Sequence, residues 1–211
     1  MANLLSERVN QGVNSQIGYK MKWLLKLIRN LLLLSLLTMT VLYAVWQNED
    51  FQRKYIYPYP FREKVEYYAD RYNVDSDLIA GVILAESKFK QEATSSHGAK
   101  GVMQLMPETA TWIAKQIEDD NFSIEKLYNP DTNIKYGTWY LAELQDEFEG
   151  NEVLILAAYN AGRGNVHDWM KKYHWDMNFK DYEKIPFPET REYVKKVLNN
   201  KLASKKLFNS L

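Results

Sequence analysis

A carboxylate stands where the sequence pattern calls for an apolar side chain. Residues 76 to about 88 have helical periodicity, with Asp75 as N-cap and Asp77 in the first turn. Ile79, Val82, Ile83 and Glu86 fall at i, i+3, i+4 and i+7, so Glu86 continues the stripe that faces the core. Burial disfavours the ionised carboxyl, and the negative end of the helix dipole opposes it as well. Both effects raise the pKa, and a carboxyl kept protonated near neutral pH can serve as a general acid. Lys88 and Lys90 pull the other way if their side chains turn towards it. The competing reading is a Glu at its helix end that reaches water.

Other chemistries have less support. The chain has no Cys, which removes disulfides, thiol nucleophiles and Cys-type zinc sites together. His97, His167 and His174 lack metal-ligand spacing and read as one surface-loop and two solvated positions, so neither a metal nor another cofactor is expected. No G-x-S-x-G elbow is present, and Gly162-Arg163-Gly164 is a lone G-x-G better read as a helix-ending turn. Lys+Arg and Asp+Glu both number 27 among 211 residues, which gives no reason to expect a nucleic-acid partner. Lys195, Lys196, Lys201, Lys205 and Lys206 read as the solvated face of a last helix. Aromatic residues make up 14%, including 15 Tyr and 6 Trp. Most belong in a core, but they also suit a groove for sugars, whose C–H faces pack on rings.

The elements that must position Glu86 are helical nearly throughout. Phe61, Val65, Tyr68, Ala69 and Tyr72 share one face of a first helix, and the Glu86 helix is second. Residues 91–100 form a polar loop, and Pro107 suits the first turn of a helix carrying Ala110, Ile113 and Ala114. Asn129-Pro130-Asp131 starts a helix with Ile134, Thr138, Leu141, Leu144 and Phe148 on one side and Gly150 at its end. Asn151 caps a short apolar helix over 153–160, closed by Gly162. Residues 165–170 make a short helical turn, 173–182 an aromatic loop, and a last helix from about Glu189 turns Tyr193, Val194, Val197 and Leu198 inward. There is no alternating strand pattern and no internal repeat, so the expected fold is mainly α.

A different solvent is expected at the N-terminus. Residues 31–46 carry no charge, and only Ser35, Thr38 and Thr40 break their apolar character. As a helix this run is roughly 24 Å long, and adding 23–30, with Lys26 and Arg29 snorkelling, spans a ~30 Å hydrocarbon core. Trp23, Tyr43 and Trp46 sit at interfacial positions. Arg8, Lys20, Lys22, Lys26 and Arg29 precede the run while Glu49 and Asp50 follow it, which places the N-terminus in the cytoplasm. Tyr43-Ala44-Val45-Trp46-Gln47 is too bulky for a signal-peptidase site, so an uncleaved anchor is expected rather than a signal peptide. The expected organisation is a cytoplasmic segment 1–22, a transmembrane anchor 23–46, an extended tether 47–59, a helical domain 60–200 and a C-terminal tail 201–211.

Four segments in order carry a resemblance. Residues 85–89 read Ala-Glu-Ser-Lys-Phe, 98–107 Gly-Ala-Lys-Gly-Val-Met-Gln-Leu-Met-Pro, 157–162 Ala-Ala-Tyr-Asn-Ala-Gly, and 185–194 Ile-Pro-Phe-Pro-Glu-Thr-Arg-Glu-Tyr-Val. Together they resemble the soluble lytic transglycosylase family, whose lysozyme-like domain cleaves peptidoglycan glycan strands, over about residues 60–200. The resemblance implies that Glu86 is the single acid/base and that Ser87 helps orient substrate and acid. It implies that Gln104 and Met106 line the groove, that the Tyr159 hydroxyl approaches the catalytic carboxyl, and that Asn160 contacts glycan. Glu189 matches a carboxylate near the site with a structural role. Val102 replaces the family's usual Leu and keeps its apolar character, whereas Arg163 stands where the family often has Pro and makes the groove edge more basic.

Glycosidases usually employ two carboxylates, and no obvious second one accompanies Glu86. The family mechanism supplies the missing part from the substrate: the muramoyl C6 hydroxyl attacks C1 and leaves a 1,6-anhydromuramoyl end without consuming water. The implied partners are peptidoglycan strands and, through the anchor, membrane lipid. The implied location is the cytoplasmic membrane, single-pass, with the domain outside. A hydrolytic muramidase of the same lysozyme-like class and a non-catalytic wall-binding scaffold are the alternatives.

Overall fold

A computed structural model describes residues 2–208, with side chains from residue 20 onward. Arg8, one of the basic residues preceding the apolar run, and residues 209–211 of the expected tail lie outside the described side chains. The chain divides into two units, one ending at Gln52 and one beginning at Arg53.

In the first unit, α1 (Ala2–Gln47) is one continuous helix, followed by the single turn α2 (Glu49–Phe51). The stretch Lys20–Gln47 is long and apolar enough to cross a membrane. Its Leu, Met, Val and Trp side chains are exposed all round, as expected where lipid rather than protein is the solvent. The hydroxyls of Ser35, Thr38 and Thr40 donate back to the carbonyls of Leu32, Ser35 and Leu36, so the polar groups within the run are satisfied by the helix itself.

The second unit opens with a π-helical turn at its border, Gln52–Ile56, and then contains α3 (Arg62–Tyr72), α4 (Ser76–Glu86), α5 (Pro107–Gln116), α6 (Pro130–Glu147), α7 (Glu152–Ala161), α8 (Arg163–Tyr173) and α9 (Pro188–Phe208). The caps follow sequence chemistry. Asp75, Asn129 and Asn151 accept backbone N–H groups at the starts of α4, α6 and α7, and Gly150 and Gly162 take positive φ after α6 and α7. The most apolar helices lie at the centre: Leu78 to Ile83 of α4 and Val153 to Ala158 of α7 are buried. The main helix contact joins α4 to α9. It is close because Gly81 has no side chain, and a Cβ there would lie 3.0 Å from the Val197 carbonyl oxygen. A second cluster gathers Leu105, Ala110, Ile113, Leu127 and Tyr136 beneath α5.

Several expectations need correction. The Glu86 helix stops at Glu86 rather than near Lys88, with Ser87 as its C-cap. Lys88 and Phe89 follow at φ +53° and +61°, a left-handed pair held in place by burial of the Phe89 ring against Tyr59 and Phe61. Residues 165–170 are part of an 11-residue helix, α8. The lead-in 47–59 is not extended: it coils through α2 and the π turn, Arg53 Nε donates to the Leu207 carbonyl at 2.8 Å, and Tyr59 packs on Phe208. The tail from 201 is the second half of α9. Lys201, its side chain only 16% exposed, pairs with Asp75 and Glu152, Ser204 donates to Asp77 at 2.8 Å, and Leu207 is buried. Lysine spacing alone reads as a solvated face, and here Lys196 and Lys201 reach partners beyond α9.

Candidate active site

Glu86 is the last residue of α4, and its carboxyl is partly enclosed by protein. Burial raises its pKa to about 7, while the Tyr193 hydroxyl and the Lys196 ammonium of α9 pull it down. Lys88 and Lys90, the cations that sequence position nominates, point out into solvent. Lys196 takes their place: its Nζ donates to the Ala85 carbonyl at 2.6 Å, so it caps the C-terminus of α4 and brings a positive charge to the acid. Among the described residues, the charged or polar groups that act on Glu86 are Tyr193 and Lys196, and no carboxylate joins them.

Tyr193 is buried, its hydroxyl makes no hydrogen bond of ordinary geometry, and burial together with the nearby Glu86 charge holds its pKa well above the ordinary phenol value. The ionised form of Glu86 is the one this hydroxyl favours. Tyr193→Phe should therefore leave thermal stability unchanged or higher and move the alkaline limb of the pH–rate profile upward. A profile that does not move would remove Tyr193 from the electrostatics of the site.

A loop faces the end of α4, and a buried side chain of α6 builds it. Lys100 bridges to both Thr94 and Leu105, doubling the chain back twice. Asn133, fully buried, accepts from the Met103 N–H at 2.7 Å and donates to the carbonyls of Lys100 and Leu127, each at 2.9 Å. Gly101 passes so close to this amide that a Cβ would lie 2.3 Å from Asn133 Nδ2 and 2.1 Å from the Leu127 oxygen. Its φ of +76° is a second reason for glycine.

The residues expected in the site are distributed around this frame. Ser87 is buried and donates to the Val102 carbonyl at 2.7 Å, so it ties the loop to the acid's helix. Gln104 takes φ +48° and uses Nε2 to hold the carbonyls of Gly101 and Ala93. Met106, at the N-cap of α5, is exposed. The Tyr159 hydroxyl donates to the Met103 carbonyl at 2.9 Å, and burial together with the nearby Glu86 charge raises its pKa well above the ordinary phenol value. Asn160 is exposed beside it. Glu189 is an exposed charge in the first turn of α9, where the helix dipole favours it.

Sequence reasoning missed Tyr193, Lys196 and Asn133. Tyr193 lies within a quoted motif but has the spacing of a core residue, and Lys196 looks like one more solvated lysine. Asn133 carries no local signal because its partners are the backbone of distant loops. Among the described residues no group of three or more His, Cys, Asp or Glu side chains could hold a metal ion. A small apolar hollow between Tyr59, Leu84, Phe89 and Phe208 has no acid in its walls and belongs to the packing of the lead-in.

The comparisons with known proteins fit this arrangement. The family model for the transglycosylase SLT domain matches residues 63–181. The soluble lytic murein transglycosylase of Escherichia coli (strain K12) is 34% identical over 144 residues, covering 67% of this chain and 22% of that protein. The membrane-bound lytic murein transglycosylase C of Actinobacillus pleuropneumoniae serotype 5b is 39% identical over 107 residues, covering 46% and 29%. Among solved structures, the 70 kDa soluble lytic transglycosylase from Escherichia coli superposes with a TM-score of 0.68 at 30% identity, over 77% of this chain and 26% of that one. Its counterpart in complex with bulgecin A gives 0.70 at 29%, over 81% and 27%. This chain thus spans less than a third of the length of these relatives. With the family match extending over more than half of its residues, the chain belongs to the transglycosylase SLT domain family.

Proposed function

We propose that this protein is a membrane-anchored peptidoglycan lytic transglycosylase in which Glu86 performs both proton transfers. The observation that carries the reading is a carboxyl set into the protein at the end of α4, where burial pushes its pKa up to about 7 against the pull of Tyr193 and Lys196. Such a group is protonated often enough to donate and, once ionised, basic enough to accept. Protonated Glu86 donates to the oxygen linking N-acetylmuramic acid to N-acetylglucosamine, and the muramoyl N-acetyl carbonyl relieves the developing charge at C1. The Glu86 carboxylate then takes the proton of the muramoyl C6 hydroxyl as that oxygen bonds to C1, which restores the acid and closes the 1,6-anhydro ring. Gln104, Met106 and Asn160 contact the glycan. Ser87 and Tyr159 act through the loop they hold against the acid.

The test is the mass of the sugar ends released from purified peptidoglycan. Ends lighter than a reducing end by one water are expected. Reducing ends would make the enzyme a hydrolytic muramidase, and intact strands would leave a wall-binding scaffold.

Residues 23–46 are proposed to remain as an anchor with the N-terminus inside and the catalytic unit outside. The basic residues before the run and the acidic pair after it support this orientation. Protease added to intact, wall-stripped cells should degrade the folded unit and spare a small membrane-bound N-terminal fragment. A mature protein beginning near residue 47 and free in the medium would overturn the anchor.

A further inference from the structure

Beyond the acid, a row of aromatic rings leads away from Tyr159. Tyr140 lies 5.7 Å from Tyr159, Trp112 lies 6.2 Å from Tyr140, and Trp139 lies 5.5 Å from Trp112, all between ring centroids. All four side chains are partly exposed and pack against the smaller core cluster, so the row is the rim where that core meets solvent. Arg163 covers one side of Trp112, its guanidinium carbon 5.7 Å from the ring centroid.

Arg163 is held from several sides. Its Nε donates to Glu147 Oε2 at 2.7 Å, and its Nη2 contacts the same oxygen. The other carboxylate oxygen of Glu147 meets His167 Nε2, and the His167 ring stacks on the fully buried Phe148 at 5.3 Å. An unbroken series of contacts thus runs from the core through His167, Glu147 and Arg163 to the indole. Arg163 is also the first residue of α8, the end where the helix dipole disfavours a cation. Propensity does not explain an Arg there, whereas clamping an indole does: the planar guanidinium both pairs with carboxylate and stacks on aromatic faces.

We propose that Trp112, fixed under Arg163, is a binding platform for the glycan strand at a distance from the bond being cleaved, and that it makes the enzyme prefer long strands to short ones. The proposal rests on the transglycosylase reading above, and glycan is chosen as occupant because the row is continuous with Tyr159 of that site. A rigid aromatic plate binds a sugar face with little ordering cost, which is what the clamp provides. Arg163 acts as a positioning residue, through Trp112.

The experiment compares kcat/KM of the full chain on peptide-free glycan strands fractionated by length with that on a tetrasaccharide. In Trp112→Ala and in Arg163→Met, the ratio of long-strand to tetrasaccharide kcat/KM should fall about tenfold, with the loss in KM rather than kcat. Trp112→Phe, which keeps an aromatic face, should retain much more of the preference than Trp112→Leu, which fills space without a ring, and Arg163→Met keeps the ring in place should Trp112→Ala fold poorly. An unchanged ratio in Arg163→Met and Trp112→Ala alike, or equal losses on both substrates, would overturn the platform while the transglycosylase reading stands. Absence of cleavage of either substrate by the wild type would overturn that reading and the platform with it.

Discussion

Glu86→Gln should cut turnover by about 10⁴-fold and at the same time stabilise the folded protein above neutral pH. Gln has nearly the size of Glu but can neither donate nor accept the proton, and general acid–base transfers of this kind each contribute roughly 10²–10⁴ in rate. The stability effect follows from the pKa. In the unfolded chain Glu86 titrates near 4.5, and in the folded protein burial raises it to about 7. Below pH 4.5 both states hold the proton and nothing is lost. As pH rises towards 7 the folded state keeps a proton that the unfolded state has released, so stability falls, and above 7 the loss amounts to about 3 kcal/mol. Gln removes that penalty. The variant should match the wild type in urea unfolding near pH 4.5 and exceed it at pH 8. The wild-type rate should fall through an alkaline limb near pH 7 as the acid ionises. Wild-type turnover in Glu86→Gln would sink the mechanism, and equal pH dependence of stability in the two proteins would mean that the carboxyl is not desolvated.

Asn133→Leu should have the largest effect of any change outside the acid. The side chains have similar shape, but Leu leaves the Met103 N–H and the Leu127 carbonyl without the partner that Asn133 supplies in a buried setting. Each such loss costs about 1–3 kcal/mol, so the variant should be destabilised by roughly 3–5 kcal/mol. Activity should fall at least a hundredfold because Gln104, Met106 and the Met103 carbonyl that receives Tyr159 all belong to the loop this amide supports. Urea unfolding and amide exchange over residues 98–106 measure both consequences. A stability change below about 0.5 kcal/mol with normal turnover would show that the loop holds itself.

How much of this is legible in sequence depends on where the cause of each feature lies. Glu86 is legible because a charge interrupts an apolar stripe, and the caps at Asp75, Asn129 and Asn151 are legible because capping is local chemistry. Tyr193 is hidden because a tyrosine facing a core and a tyrosine facing a buried acid have the same spacing. Asn133 is hidden because its partners, Met103, Lys100 and Leu127, are fixed by tertiary packing. The lead-in misleads for a related reason: Tyr and Pro composition favours an extended chain, and only the rings of Phe89 and Phe208 give Tyr59 a place to pack. The end of α9 looks like a tail until Asp75 and Glu152 appear opposite Lys201.

Arg53 and Arg62 both donate to carbonyls at the end of α9, Arg53 to Leu207 and Arg62 to Phe208, so the two ends of the folded unit are fastened to each other. In the language of topology, the folded unit is close to a ring cut at one point, and the cut need not be there. A short Gly/Ser bridge from residue 208 to residue 53, with new ends opened at the exposed turn of Glu149 and Gly150, should give a soluble permuted enzyme. In that permuted chain α9, which carries Tyr193 and Lys196, would lead directly into the segment that precedes the acid.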